Sequence, residues 1–209
     1  MKWIVFGDKG SGAFAAEAAL AEAGADYEFR TVSLKSNDQK KPEFLAINPA
    51  GKIPALQLPE GGILTETLAM LLTIAERYPD ARLLPRPVGF ARAQACRWLA
   101  FMASEIYPMV EIEDFPARFV PEGAQSDALR GAARDRIRER LLILEQAVAG
   151  PWLLADGFSA ADIYAAMFNR WSAAHRWRDE HIPKLCAIMR NVAERPRLAA
   201  VWQRCFPPL

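Results

Sequence analysis

Apolar and polar positions follow two different rhythms along the chain. Residues 2–6 form a short apolar run, and "YEFRTVSL" (27–34) alternates, so both read as strands. Between them "AFAAEAALAEA" (13–23) consists of strong helix formers and stops at Gly24, a residue suited to a left-handed helix end. The polar stretch 35–41 reads as a loop, and "PEFLAI" (42–47) as a short helix with Pro42 in its first turn. "IPALQL" (53–58) and "GILTE" (62–66) flank the turn "PEGG", which is hairpin spacing. Residues 66–78 return to a helical period. The predicted order is β-α-β-α-β-β-α, an α/β domain over residues 1–79.

The pattern then changes. "YPDARLLPRPVG" (78–89) is proline-rich and contains the expected linker, 80–87. Beyond it every periodic segment is helical: 88–110, the stripe Ile137, Leu141, Leu144 and Val148, then 159–174, 182–194 and 196–204. Residues 88–209 are therefore expected to form an all-helical domain.

Charge narrows the partners. Twenty-six basic residues face 25 acidic ones, so nothing electrostatic argues for nucleic acid or an anionic membrane. No apolar run approaches the ~20 residues of a membrane span, and no basic segment with a cleavage site opens the chain. Cys96, Cys186 and Cys205 are odd in number and far apart, which excludes a disulfide scaffold or a CxxC motif and fits a reducing, cytoplasmic setting. No metal site is expected. "EIED" (111–114) reads as a solvated helix end, and His175 and His181 have no nucleophile at a recognisable spacing.

Three stretches carry the candidate chemistry. "GDKGSGAF" (7–14) joins the first strand to the first helix, a junction that aims backbone N–H groups and a helix N-terminus at an anion. It is not a nucleotide loop, because Lys9 precedes Gly10 and the glycines fall at 7, 10 and 12. Ser11 is either a helix cap or a ligand contact. In "NPAGKIPAL" (48–56), Pro54 lies where a strand begins, and a cis Ile53–Pro54 bond would turn the Ile53 backbone toward an extended peptide ligand. Lys52 beside it is an exposed turn lysine or a carboxylate contact. In "TETLAM" (65–70), Glu66 and Thr67 open a helix, either as ordinary caps or as a grip on an amino-acid head group, Glu66 on the ammonium and Thr67 on the carboxylate.

"INPAGKIPAL", then "TETLAM", then a proline-rich linker into a helical domain, resembles the cytosolic glutathione S-transferase family over essentially the whole chain. "GFSAADIYAA", with Ser159 and Asp162 in capping-box spacing, and "RPRLAAVW" agree with it. The resemblance implies a thioredoxin-like first domain, a homodimer, glutathione as co-substrate in the cleft between the domains, and a role in detoxification. It assigns Ile53 and Pro54 to the cysteinyl part of glutathione, Glu66 and Thr67 to the γ-glutamyl head group and Lys52 to the glycine carboxylate. "FMASEIYP" (101–108) resembles the bacterial beta-class segment in which Ser104 and Glu105 would reach the partner's glutathione and Tyr107 would line the acceptor pocket. The beta-class cysteine position falls on Gly12, so a mixed disulfide in this loop is excluded and Ser11 is the only side-chain hydroxyl left to hold the sulfur. The expected reaction is conjugation of glutathione thiolate to a small hydrophobic electrophile. The alternatives are a glutathione-dependent disulfide or peroxide reductase and a non-catalytic glutathione-binding module.

Overall fold

The computed structural model describes residues 2–121, 125–171 and 175–206. The chain forms two compact units, Met1–Leu84 with Val192–Leu209, and Pro85–Asn191. In the first, β1 (Trp3–Gly7), α1 (Ala13–Ala23), β2 (Tyr27–Thr31), α2 (Pro42–Leu45), β3 (Ala55–Gln57), β4 (Ile63–Leu64) and α3 (Thr67–Arg77) follow in order. The sheet runs β2-β1-β3-β4. Strand β1 pairs parallel with β2, and β3 pairs antiparallel with both β1 and β4.

The strands are shorter than the alternation suggests, because side chains intercept the backbone. The Ser33 N–H donates to Asp38 and the Leu34 N–H to Asp8, which takes the chain out of the ladder after Thr31. Pro54 has no N–H to give, so β3 begins at Ala55. Helix α1 is buried along nearly its whole length. Its N-terminus meets the end of β1 so closely that a Cβ on Gly7 would lie 2.1 Å from that of Ala13, which leaves room only for glycine.

The second unit is helical: α4 (Phe90–Phe101), α5 (Tyr107–Asp114), α6 (Ser126–Ala147), α7 (Ala160–Trp171), α8 (His175–His181) and most of α9 (Pro183–Glu194). The expected continuous helix over 88–110 is broken by a π-helical stretch, Met102–Ile106. Pro108 explains it: an interior proline withdraws a donor from the carbonyl four residues back and crowds it, and a wider turn relieves both. Helix α7 is seen to Trp171, and the rest of the expected 159–174 segment lies outside the described residues.

The C-terminal helix α10 (Ala199–Cys205) belongs with the first unit, although the sequence reading groups it with the helical domain. Two forces dock it on α1. Phe14 packs edge-on against Trp202 and Phe206, with ring centroids 5.4 and 5.0 Å away. Arg204 pairs with the fully buried Glu17, and Arg195 and Arg197 engage the Glu22 carboxylate and carbonyl.

Candidate functional site

The register brings three of the singled-out stretches to one end of the sheet. Phe6 of β1 faces Ala55 of β3, so the loop 8–12 leaves the sheet where Ile53–Pro54 enters it. Leu56 faces Leu64, so β4 delivers Glu66 and Thr67 to the same end. Neighbouring strands lie about 4.8 Å apart, so the loop and the head of α3 are about 10 Å from each other, a span suited to a short peptide. The N-termini of α1 and α3 both open there, and both favour negative charge.

In the loop, Ser11 is bound inward. Its Oγ donates to the Asp8 carbonyl at 2.7 Å and accepts the N–H groups of Asp8 at 3.2 Å and Ala13 at 3.3 Å. A hydroxyl has one hydrogen, and here it points at a carbonyl that can only accept. The Asp8 carboxylate takes the N–H groups of Lys9 and Leu34, tying the loop to the chain beyond β2. The Ser11 N–H goes to the Asp8 carbonyl, and a Cβ on Gly10 would lie 3.3 Å from the Cys205 carbonyl oxygen. Among the hydrogen bonds of the described residues, none uses the N–H of Gly12, the residue that caps α1. Its φ of −58° is open to any amino acid.

The Ile53–Pro54 peptide bond is cis. The turn before it is shaped by Asn48, whose Nδ2 donates to the Lys52 carbonyl at 2.6 Å and whose Oδ1 accepts the Ala50 N–H at 3.1 Å. Gly51 sits in the left-handed region (φ 58°), and a Cβ there would lie 3.1 Å from the Gln39 carbonyl. Lys52 is exposed and Ile53 half-buried. Glu66 is exposed, with a φ of 64° and ψ of 109°, a conformation that costs a non-glycine residue about 1–3 kcal/mol and that collects at ligand sites. Thr67 is buried, and its Oγ1 has no hydrogen-bond partner among the described residues. A buried hydroxyl left this way marks a place for a ligand atom or a water.

Ser104, Glu105 and Tyr107 belong to the helical unit. Ser104 is exposed and donates to the Ala100 carbonyl at 2.9 Å, filling a backbone acceptor in the last turn of α4, just before the π-helical stretch. Glu105 is held by Arg140, at 3.0 and 3.1 Å from Nη2 and Nε. Tyr107 lies in an aromatic cluster with Tyr164, Phe168 and Trp171, ring centroids 5.4–6.2 Å away. Of the other expected chemistry, the Cys186 and Cys205 thiols are buried, and burial pushes both above the ordinary thiol range. No group of three or more His, Cys, Asp or Glu side chains able to hold a metal ion occurs among the described residues. Nor, among those residues, is any helix long and apolar enough to cross a membrane.

Asp8 and Asn48 are the site residues that sequence reasoning missed. Asn48 had a local signal, since "NPAG" is a side-chain-closed turn. Asp8 acts through a partner 26 residues away along the chain, Leu34, and no local pattern reports that.

The glutathione S-transferase N-terminal domain model matches residues 1–76, and the C-terminal domain model matches residues 98–196. The glutathione S-transferase GstA of Escherichia coli O157:H7 is 28% identical over 93% of this chain and 94% of its own length. A glutathione transferase homologue from Sulfitobacter, solved with bound glutathione, superposes with a TM-score of 0.85 at 27% identity, covering 96% of both chains. The bacterial beta-class glutathione S-transferase of Sphingomonas chungbukensis gives 0.80 at 29% identity, over 96% of this chain and 97% of its own.

Proposed function

Since the chain belongs to the glutathione S-transferase family, we propose that the sheet end built from the loop 8–12, Ile53–Pro54 and Glu66–Thr67 binds glutathione and activates its thiol for transfer. The observation that carries this reading is the Gly12 N–H. It is the loop donor that intramolecular bonding leaves over, and it stands at the N-terminus of α1.

The bound tripeptide runs across the strand ends. Its γ-glutamyl carboxylate meets the Thr67 hydroxyl and the start of α3, and its ammonium meets Glu66. The Ile53 backbone pairs with the cysteinyl part, and Lys52 reaches the glycine carboxylate. The sulfur comes to rest at Gly12. A free thiol ionises near ~8.5, so little of it is thiolate at neutral pH. A backbone donor and a helix N-terminus favour the anion and lower that value. The thiol proton leaves to solvent, and the thiolate forms a carbon–sulfur bond with a small hydrophobic electrophile as the leaving group departs with the bonding pair. Tyr107 and its aromatic neighbours supply the apolar side of the acceptor site. The chain works as a homodimer in the cytoplasm, and Ser104 and Glu105 reach the partner's glutathione once Glu105 exchanges Arg140 for the ligand's ammonium.

The test of this reading is calorimetric titration with glutathione. Glu66→Ala removes a charged hydrogen bond worth about 1.5–3 kcal/mol and should weaken binding about ten- to hundred-fold. An unchanged dissociation constant would remove Glu66 from the site. Conjugation of an aryl halide, set beside turnover of a glutathione mixed disulfide, separates transfer from reduction.

Ser11 is expected to shape the loop rather than touch the sulfur. Ser11→Ala should cost about 1–2 kcal/mol of stability through its three lost bonds. It should leave the ultraviolet thiolate titration of bound glutathione in place. A rise of the bound thiol's pKa with no fall in melting temperature would reverse the assignment.

A further inference from the structure

The end of α7 is held by the two helices that follow it. Asn169 lies in the last turn of α7, where backbone carbonyls carry the negative end of the helix dipole. Its carbonyl is taken by Arg178 of α8, whose Nη1 donates to it at 2.7 Å. Nη1 has a second hydrogen, and it also donates to the Met189 sulfur of α9 at 3.7 Å. The Asn169 side chain reaches α9 as well, its Nδ2 donating to the Cys186 sulfur at 3.8 Å. Asn169, Cys186 and Met189 are buried, and Arg178 is only 2% exposed. A guanidinium this deep is out of reach of a substrate. Its charge sits where a helix end can stabilise it, and a charged donor makes the bond to the carbonyl stronger than a neutral one would.

The held turn carries the aromatic wall. Phe168 and Trp171 flank Asn169 along α7, with ring centroids 5.7 Å apart, and Tyr107 of α5 packs against them at 5.4 and 5.9 Å. We propose that Arg178 is a positioning residue for this wall: by pinning the Asn169 carbonyl to α8 and α9 it fixes the end of α7, and with it the directions in which Phe168 and Trp171 face Tyr107. The two rings do not depend on the clamp equally. Phe168 is buried and packs against Tyr164 one turn earlier, with 4.7 Å between centroids, so it has a second anchor on its own helix. Trp171 is half-buried and is the last residue of α7. Its ring keeps its edge contacts only while the backbone beneath it does not unwind. That these rings receive the electrophile rests on the functional reading given above. That Arg178 holds the turn does not.

The experiment compares the unmodified protein with Arg178→Met, which removes the donors from an apolar stem, and Arg178→Lys, which keeps a charged donor. Amide hydrogen exchange is followed by nuclear magnetic resonance without glutathione. At Arg170 and Trp171 it should speed up about tenfold or more in Arg178→Met and return toward its original rate in Arg178→Lys. At Ile163 and Tyr164, near the other end of α7, it should stay near its original rate. The KM for an aryl halide should rise about tenfold in Arg178→Met and recover in part in Arg178→Lys, while the dissociation constant for glutathione stays within about twofold. Equal exchange at Arg170 and Trp171 in all three proteins overturns the proposal. So does a rise of the same size at both ends of α7, which is general loosening, and so does an aryl-halide KM that stays in place while the last turn loosens. Should Arg178→Met not fold, the guanidinium N–H signals of Arg178 in the unmodified protein decide. A clamped group keeps them slow to exchange at neutral pH, and signals lost rapidly to water overturn the proposal. If the unmodified protein binds no glutathione by calorimetry, the functional reading fails by itself, and the exchange comparison still decides whether Arg178 holds the turn.

Discussion

Asp162→Ala should lower the unfolding free energy by about 3 kcal/mol at pH 5, the sum expected for three lost hydrogen bonds and two orphaned buried donors. Asp162 is fully buried. One carboxylate oxygen accepts the Leu153 N–H at 2.7 Å, and the other accepts the Ser159 N–H at 2.8 Å and its hydroxyl at 3.1 Å. The side chain therefore stitches the start of α7 to the segment before it. Burial pushes its carboxyl up to about 6 in spite of these donors. A carboxyl raised above its unfolded value is favoured in the folded state when protonated. Its contribution is full below pH ~4 and is lost as pH rises toward and through about 6. The gap between the unmodified protein and Asp162→Ala should accordingly widen between pH 7 and pH 5. Urea unfolding at the two pH values measures it. A gap under about 1 kcal/mol, or one that narrows toward pH 5, contradicts the account.

Arg204→Ala should have a comparable effect with the opposite pH direction and a different cause. Glu17 has no solvent exposure, and Arg204 is its cationic partner. Breaking a buried pair from one side costs about 3–5 kcal/mol when the remaining charge is uncompensated. Two features moderate this. The Tyr27 hydroxyl neighbours Glu17, and burial, with Glu17 adding to it, pushes that hydroxyl up to about 12, so it stays protonated. Burial also raises the Glu17 carboxyl itself, with Arg204 pulling against it. Removing Arg204 sends that carboxyl higher, so it can escape the penalty by taking a proton at low pH. The loss should be about 2–4 kcal/mol at pH 8 and shrink as pH falls toward 5. Glu17→Gln in the Arg204→Ala background should recover part of the loss at pH 8. A loss independent of pH, or no recovery, would show that the Glu17 charge is not what Arg204 stabilises.

What the sequence disclosed, and what it withheld, follows from how local each interaction is. The alternation in "YEFRTVSL", the alanine-rich α1 and the hairpin spacing around "PEGG" all express neighbours along the chain, and the sheet and helices appear where they point. Elements shift where a distant side chain competes for the backbone. Strand β2 stops short because, after the Val32 N–H has bonded Gly7, Asp38 and Asp8 claim the N–H groups of Ser33 and Leu34. Apolar spacing alone predicts a continuous helix over 88–110 and does not register that Pro108 costs a hydrogen bond, which the fold accommodates with a π-helical stretch. The grouping of α10 with the first unit depends on Arg204 meeting Glu17 and Trp202 meeting Phe14, contacts between opposite ends of the chain. The candidate site shows the same division. Ile53, Pro54, Glu66 and Thr67 stood out by type and spacing, and strand register brings them together. Ser11 stood out as the only hydroxyl in its loop. Its three inward bonds, and hence the prominence of Gly12, depend on loop geometry that type and spacing do not encode.

The central claim is that glutathione lies across this sheet end with its sulfur at the N-terminus of α1. A crystal structure of the protein soaked with glutathione tests it most directly. The account predicts the γ-glutamyl group against Glu66 and Thr67, and the sulfur within hydrogen-bonding distance of the Gly12 N–H, with the Ser11 hydroxyl still donating to the Asp8 carbonyl. A sulfur resting on a Ser11 hydroxyl that has left Asp8, or glutathione bound away from Glu66 and Thr67, would contradict it.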